Sequence, residues 1–178
     1  RHGDAWQVTS TAVFGATLVL LYTTSTLYHG LRDAGAKRLM RKFDHAAIFL
    51  LIAGTYTPFS LVTLRGPWGW SLFGVVWGLA AIGVVLKFWF AGRFPVASTL
   101  IYVAMGWLVL IAIKPLLALM DATAFGLLVG GGVSYTGGAA FYLCKRLPYH
   151  HAVWHVFVLG GSVCHYFAVL HALAATWA

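Results

Sequence analysis

The sequence has no glutamate, and its four acids are the aspartates Asp4, Asp33, Asp44 and Asp121. That scarcity removes the paired carboxylates on which glycoside hydrolysis usually depends, so carboxylate chemistry falls to very few positions. Charge of either sign is thin: 9% of the 178 residues are charged and 61% are hydrophobic, whereas soluble globular domains are roughly 25% charged. With a mean hydropathy of +0.83, the chain is expected to lie in a membrane. At ~20 residues per span its length admits about six transmembrane helices and no separate soluble domain. The two cysteines, Cys144 and Cys164, do not form a CxxC pair and argue against a disulfide framework. No signal-peptide pattern follows Arg1, so a preceding segment is expected.

Long apolar runs are abundant, and read between charges they predict helices over 6–29, 45–64, 69–91, 95–113, 122–143 and 150–174. The expectation is an all-α, polytopic transmembrane helix bundle forming one domain over 1–178. Lys87 falls near the end of the third run, where its stem can snorkel to the headgroups, and Pro58 is expected to break the last turn of the second. Gly130-Gly131-Gly132 and Gly137-Gly138 suit close helix approach, with a hinge as the alternative.

Twelve Lys and Arg against four Asp leave a formal charge of +8, but the cations sit in loops rather than along a continuous groove, which argues against nucleic acid. Arg32, Lys37, Arg38, Arg41, Lys42, Lys87, Arg93, Lys145 and Arg146 fall on one side of the predicted topology, and Arg1, Arg65 and Lys114 on the other. Nine against three places the 30–44, 92–94 and 144–149 loops in the cytoplasm.

Eight histidines stand out in so apolar a chain, because ionisable groups within spans are costly and are functional candidates by default. His29 closes the first predicted helix, Asp44 and His45 open the second, and His150, His151 and His155 open the last. Three helices far apart in sequence thus bring ligand-type side chains to one cytoplasmic layer. His151 and His155 are four apart, about 40° from alignment on one helix face, so a shared ion is easy to accommodate. His150 lies about 140° round from His155 and suits an interfacial anchor beside Tyr149 and Trp154. Ser25 is one turn from His29, where it either orients a ligand or water, or bonds back to its own helix. Asp44 either caps its helix or joins the histidines. His165 and His171 lie about 15 and 24 Å along the helix from His155, too far for the same site, and are read as interhelical hydrogen-bonders or outer-interface residues.

Three neutral imidazoles with an open fourth position suit a catalytic type of Zn2+ site, whereas closed structural sites typically recruit cysteine.

Ser25-Thr26-Leu27-Tyr28-His29, Lys42-Phe43-Asp44-His45 running into Leu51-Ile52-Ala53-Gly54-Thr55-Tyr56-Thr57-Pro58, and Pro148-Tyr149-His150-His151-Ala152-Val153-Trp154-His155 through His165 resemble the haemolysin III family, the bacterial branch of the progestin and adipoQ receptor membrane proteins. The resemblance implies seven helices with a cytoplasmic N-terminus, and therefore one helix before Arg1, in a bacterial inner membrane. It also implies that His29, His151 and His155 hold zinc, that Asp44 holds the reacting water, and that Ser25 is the patterned serine nearby. Related receptors are regarded as ceramidase-like amide hydrolases, and bacterial relatives are linked to cytolysis and membrane-lipid homeostasis.

Three functions compete. The first is a zinc-dependent hydrolase of a lipid amide or ester, with Asp44 as base and Ser25 steadying the oxyanion. The second is a zinc-stabilised receptor or lipid sensor without turnover, and the third a membrane-lytic protein, against which stands the lack of charged rings or a full-depth polar stripe. Membrane lipids are the expected partners in each, and the oligomeric state is left open.

Overall fold

The computed structural model describes residues 4–174, and no strand occurs among them. Among these residues, six helices are long and apolar enough to cross a membrane. They divide into two compact units, the first ending at Phe94 and the second beginning at Pro95.

In the first unit, α1 (Ala5–Gly30) starts on a reciprocal cap: Gln7 N–H donates to the Asp4 carboxylate at 2.9 Å and Asp4 N–H donates to Gln7 Oε1 at 3.1 Å. After only Leu31–Asp33, α2 (Ala34–Pro58) begins, capped by Asp33, which accepts from Ala36 N–H at 2.7 Å. The second helix therefore starts eleven residues before the predicted 45. Lys37, Arg38, Arg41 and Lys42 had the look of a loop, yet these residues are compatible with helix, and the segment needs no apolar face where it leaves the membrane. The deeper part of α2 buries small residues, including Ala46, Ala47, Ala53 and Gly54. Thr17 of α1 packs where a side chain on Gly54 would stand, so the two helices approach closely.

Pro58 does break the helix pattern, as anticipated: with no N–H to donate, it is followed by a π-helical turn over Phe59–Thr63, closed by Leu64 N–H to the Phe59 carbonyl at 2.8 Å. The third helix, α3 (Pro67–Phe90), buries one stripe: Gly69, Leu72, Val76, Ala80, Gly83 and Lys87. Lys87 continues that stripe one turn beyond Gly83 and is only 6% exposed.

In the second unit the fourth span runs to Leu119 instead of 113. It consists of α4 (Pro95–Gly106), a tightened 3-10 segment Trp107–Ala112, and α5 (Ile113–Leu119). The predicted end at 113 falls just before Lys114-Pro115, but Pro115 sits in the first turn of α5, where its missing N–H is tolerated. Two long helices complete the unit: α6 (Ala122–Leu143), capped by Asp121, and α7 (His150–Ala174).

The α6–α7 contact depends on small residues, consistent with the close-packing reading of the glycines. Gly131 lies directly under the His165 ring and Gly161 under the Tyr135 ring. Polar links cross the seam: Ser134 Oγ donates to the Phe157 carbonyl at 2.7 Å, the Tyr135 and Ser162 hydroxyls are 2.8 Å apart, and His165 Nε2 lies 3.1 Å from the Leu128 carbonyl. His165 is thus an interhelical hydrogen-bonder, as read from the sequence, and His171 is exposed. A methyl group on Gly131 would collide with the imidazole, so Gly131→Ala is expected to lower stability by about 1–3 kcal/mol. Gly130→Ala, with open space around its Cβ, should be neutral or slightly stabilising. Thermal unfolding in detergent checks the pair; equal melting temperatures would refute the packing argument.

Candidate functional site

Three of the four aspartates serve helix starts. Asp4 and Asp33 cap α1 and α2, and Asp121 accepts from Ala124 N–H at 2.8 Å at the start of α6. Asp44 is the exception. Because α2 begins at Ala34, Asp44 lies about three turns inside the helix, where every neighbouring N–H belongs to the helix ladder, and the capping reading falls away.

What Asp44 meets instead comes from α1. The short Leu31–Asp33 connection brings the last turns of α1 back along α2, and the Ser25 hydroxyl donates to the Asp44 carboxylate. The His29 imidazole lies close enough to Asp44 to act on its charge. Ser25 and Asp44 are half-buried, while His29 is exposed, its ring 4.7 Å from that of Tyr28. The first unit therefore assembles Ser25, His29 and Asp44. His45 sits 100° further round α2 and is half-buried.

The second unit assembles another pair. One turn apart at the start of α7, His151 and His155 turn their Nε2 atoms toward one another at 3.2 Å, with ring centroids 4.8 Å apart and planes at 83°. Two imidazole nitrogens bound tetrahedrally to Zn2+ at 2.0–2.1 Å stand about 3.3–3.4 Å apart, so the pair matches a shared tetrahedral ion within a few tenths of an ångström. The same spacing accommodates an N–H···N hydrogen bond without an ion. Both rings are half-buried, and Tyr142 of α6 packs 5.9 Å from His151 and 5.3 Å from Trp154.

His150 stands apart, in agreement with its angular position. Its Nδ1 lies 3.1 Å from the Leu147 carbonyl, following Tyr149, which holds a left-handed φ of 56°. That contact settles which histidines of the Tyr149–His155 run form a pair. Cys144, at the end of α6, and Cys164, on α7, are free thiols; Cys164 lies about 14 Å along the helix from His155.

Two features were missed by the sequence reading. The Ser25–Asp44 hydrogen bond depends on the early start of α2, which the cationic segment concealed; Asp33 followed by Ala34-Gly35-Ala36 was the available cap signal. Tyr142 left only a weak trace, an aromatic residue at the end of α6, across the short connection from His151 at the start of α7.

A profile described as "Haemolysin-III related" matches residues 1–166. The chain belongs to the haemolysin III family. It is similar to "Hemolysin-3" of Bacillus cereus, 49% identical over 170 residues that make up 96% of this chain and 78% of the relative. It is also similar to the "Hemolysin-3 homolog" of Bacillus subtilis (strain 168), 47% identical over 96% of this chain and 80% of the relative. A more remote likeness is to the human "Monocyte to macrophage differentiation factor", 25% identical over 93% of this chain and 71% of that protein. As a haemolysin III protein with six membrane-length apolar helices, it is an integral membrane protein.

Proposed function

We propose that this haemolysin III protein is a zinc-dependent hydrolase of a lipid amide or ester, acting at the cytoplasmic side of a bacterial inner membrane. His29 of the first unit and His151 and His155 of the second would hold the ion, each offering one ring nitrogen, as the resemblance to the haemolysin III family implies. An all-imidazole set with a free position is the donor chemistry of catalytic zinc. When bound, the ion supplies Lewis acidity, making a water acidic enough to ionise near neutral pH and polarising a carbonyl.

The observation that carries the reading is Asp44: one carboxylate, not engaged as a cap, held by Ser25 beside a candidate ligand histidine. Asp44 accepts a proton from the attacking water as the water oxygen bonds to the acyl carbon. It returns that proton to the amine nitrogen or alcohol oxygen as the C–N or C–O bond breaks. The Ser25 O–H donates to the Asp44 carboxylate and fixes its direction. This replaces the oxyanion role expected for Ser25, because a hydroxyl has one hydrogen and that hydrogen is engaged. A lipid substrate follows from the setting, in which acyl chains can approach from the membrane.

The test is release of free fatty acid from a panel of ceramide-like amides and esters by purified, zinc-replete protein in lipid. Release that a chelator abolishes and added zinc restores is the expected result. Chelation that lowers the melting temperature while no substrate is cleaved would instead establish a zinc-stabilised receptor or sensor. Dye release from liposomes without lipid breakdown would establish a lytic protein.

A further inference from the structure

Near the start of α2 and the end of α3, the first unit holds a cation whose Nε has no acceptor among the described residues. Arg41 is half-buried, and its guanidinium lies against Gly92, in the turn after α3. A Cβ at position 92 would come within 3.2 Å of both Cζ and Nη1 of Arg41, so bare glycine backbone provides the seat. Gly92 also has a φ of 78°, which side-chain-bearing residues resist. The turn is therefore fitted to glycine twice over.

Arg41 Nε is buried without a hydrogen-bond partner among the described residues. A guanidinium presents five donors in a fixed fork and accepts nothing, and a desolvated donor left unpaired is costly. Neither Asp33, which receives Ala36 N–H, nor Asp44, which receives Ser25, forms an ion pair with Arg41 among the described residues. Further positive charge adjoins the seat in sequence, from Arg38 one turn earlier on α2 and from Arg93 beside Gly92. Arg41 is only half-buried, so its guanidinium fork is open in part to an anion with several oxygens, to which arginine is geometrically matched.

The surroundings identify its source. Phe43 and Phe88 meet edge-on at 5.4 Å, Phe90 and Phe94 lie 6.2 Å apart, and all four rings are exposed. Exposed aromatic rings next to cations at the end of apolar helices are the chemistry of a membrane boundary, where rings meet acyl chains and basic residues meet headgroups. A free phosphate would have no use for the rings.

We propose that Arg41, seated on Gly92 and assisted by Arg93, binds the headgroup phosphate of an anionic phospholipid. Binding there does not depend on the chemistry proposed for Asp44 and the histidines.

The test uses delipidated protein in nanodiscs of phosphatidylcholine doped with phosphatidylglycerol, counting retained lipids by native mass spectrometry. Wild type should retain phosphatidylglycerol over phosphatidylcholine. Arg41→Gln should weaken that retention about fivefold, and Arg41→Gln with Arg93→Gln further still. Lys145→Gln, which removes a cation from the second unit, should leave it unchanged. Melting temperatures in pure phosphatidylcholine should coincide for all variants, showing that binding and not folding has changed. Equal retention by wild type and Arg41→Gln would overturn the proposal. So would an equal loss in Lys145→Gln, which would mean diffuse charge attraction, or displacement of the lipid by equimolar inorganic phosphate in detergent, which would assign the seat to the free ion.

Discussion

Zinc-replete protein is expected to carry about one ion per chain after desalting, and His151→Ala or His155→Ala to carry almost none. Elemental analysis of the purified variants reads this directly. The expectation follows from the 3.2 Å approach of the two Nε2 atoms: one turn of helix presents two neutral donors at the edge length of a tetrahedral site, so removing either leaves the other without its chelating partner. His150→Ala is the control, because its ring is turned to the Leu147 carbonyl, and it should keep the metal. A thermal readout makes the result independent of ion counting. At free zinc 1,000 times Kd, a ligand specific to the folded state stabilises by about 4 kcal/mol, so added zinc should raise the melting temperature of wild type and His150→Ala but not of His151→Ala. Full occupancy in His151→Ala, with an undiminished thermal response, would show that this pair is an interfacial anchor.

The histidine pair was legible in the sequence because its geometry is local. Four residues on a helix fix a separation whatever else the fold does, and the same arithmetic turned His150 away and carried His165 to a different depth. Helices 122–143 and 150–174 were equally legible, since apolar runs bounded by charge or by Pro148 leave little freedom in placing their ends. The second helix was not, because its first turns are cationic and carry no hydrophobic run; only the Asp33 cap betrays them. That displacement mattered for function. With α2 starting at 45, Asp44 had a bland role as a cap, whereas starting at Ala34 it lies within the helix and meets Ser25. The extension of the fourth span past Pro115 was hidden for a related reason, as proline stops a helix in its interior but not in its first turn. Lys87 shows the limit of composition: a cation near a helix end suggests an exposed head, and only the angular register of α3 reveals that it continues the buried stripe.

Asp44→Asn should retain zinc and the zinc-dependent rise in melting temperature yet lose about 10²–10⁴-fold in hydrolysis of whichever lipid amide or ester the protein cleaves. Asparagine keeps the size of the side chain and can still accept the Ser25 hydrogen bond through its amide oxygen, so the local structure is conserved. It cannot take up a proton, and that is the only property the substitution is meant to remove. Ser25→Ala separates direction from proton transfer: Asp44 remains present but unheld, so a smaller loss is expected, about tenfold, within the range of one hydrogen bond to a charged group. Ser25→Thr, which restores the hydroxyl, should recover most of it. The order wild type, Ser25→Thr, Ser25→Ala, Asp44→Asn in falling activity, at constant metal content, is the signature of a base aimed by a neighbouring hydroxyl. Undiminished turnover in Asp44→Asn would remove the base from Asp44, and loss of zinc in that variant would make the carboxylate a ligand instead.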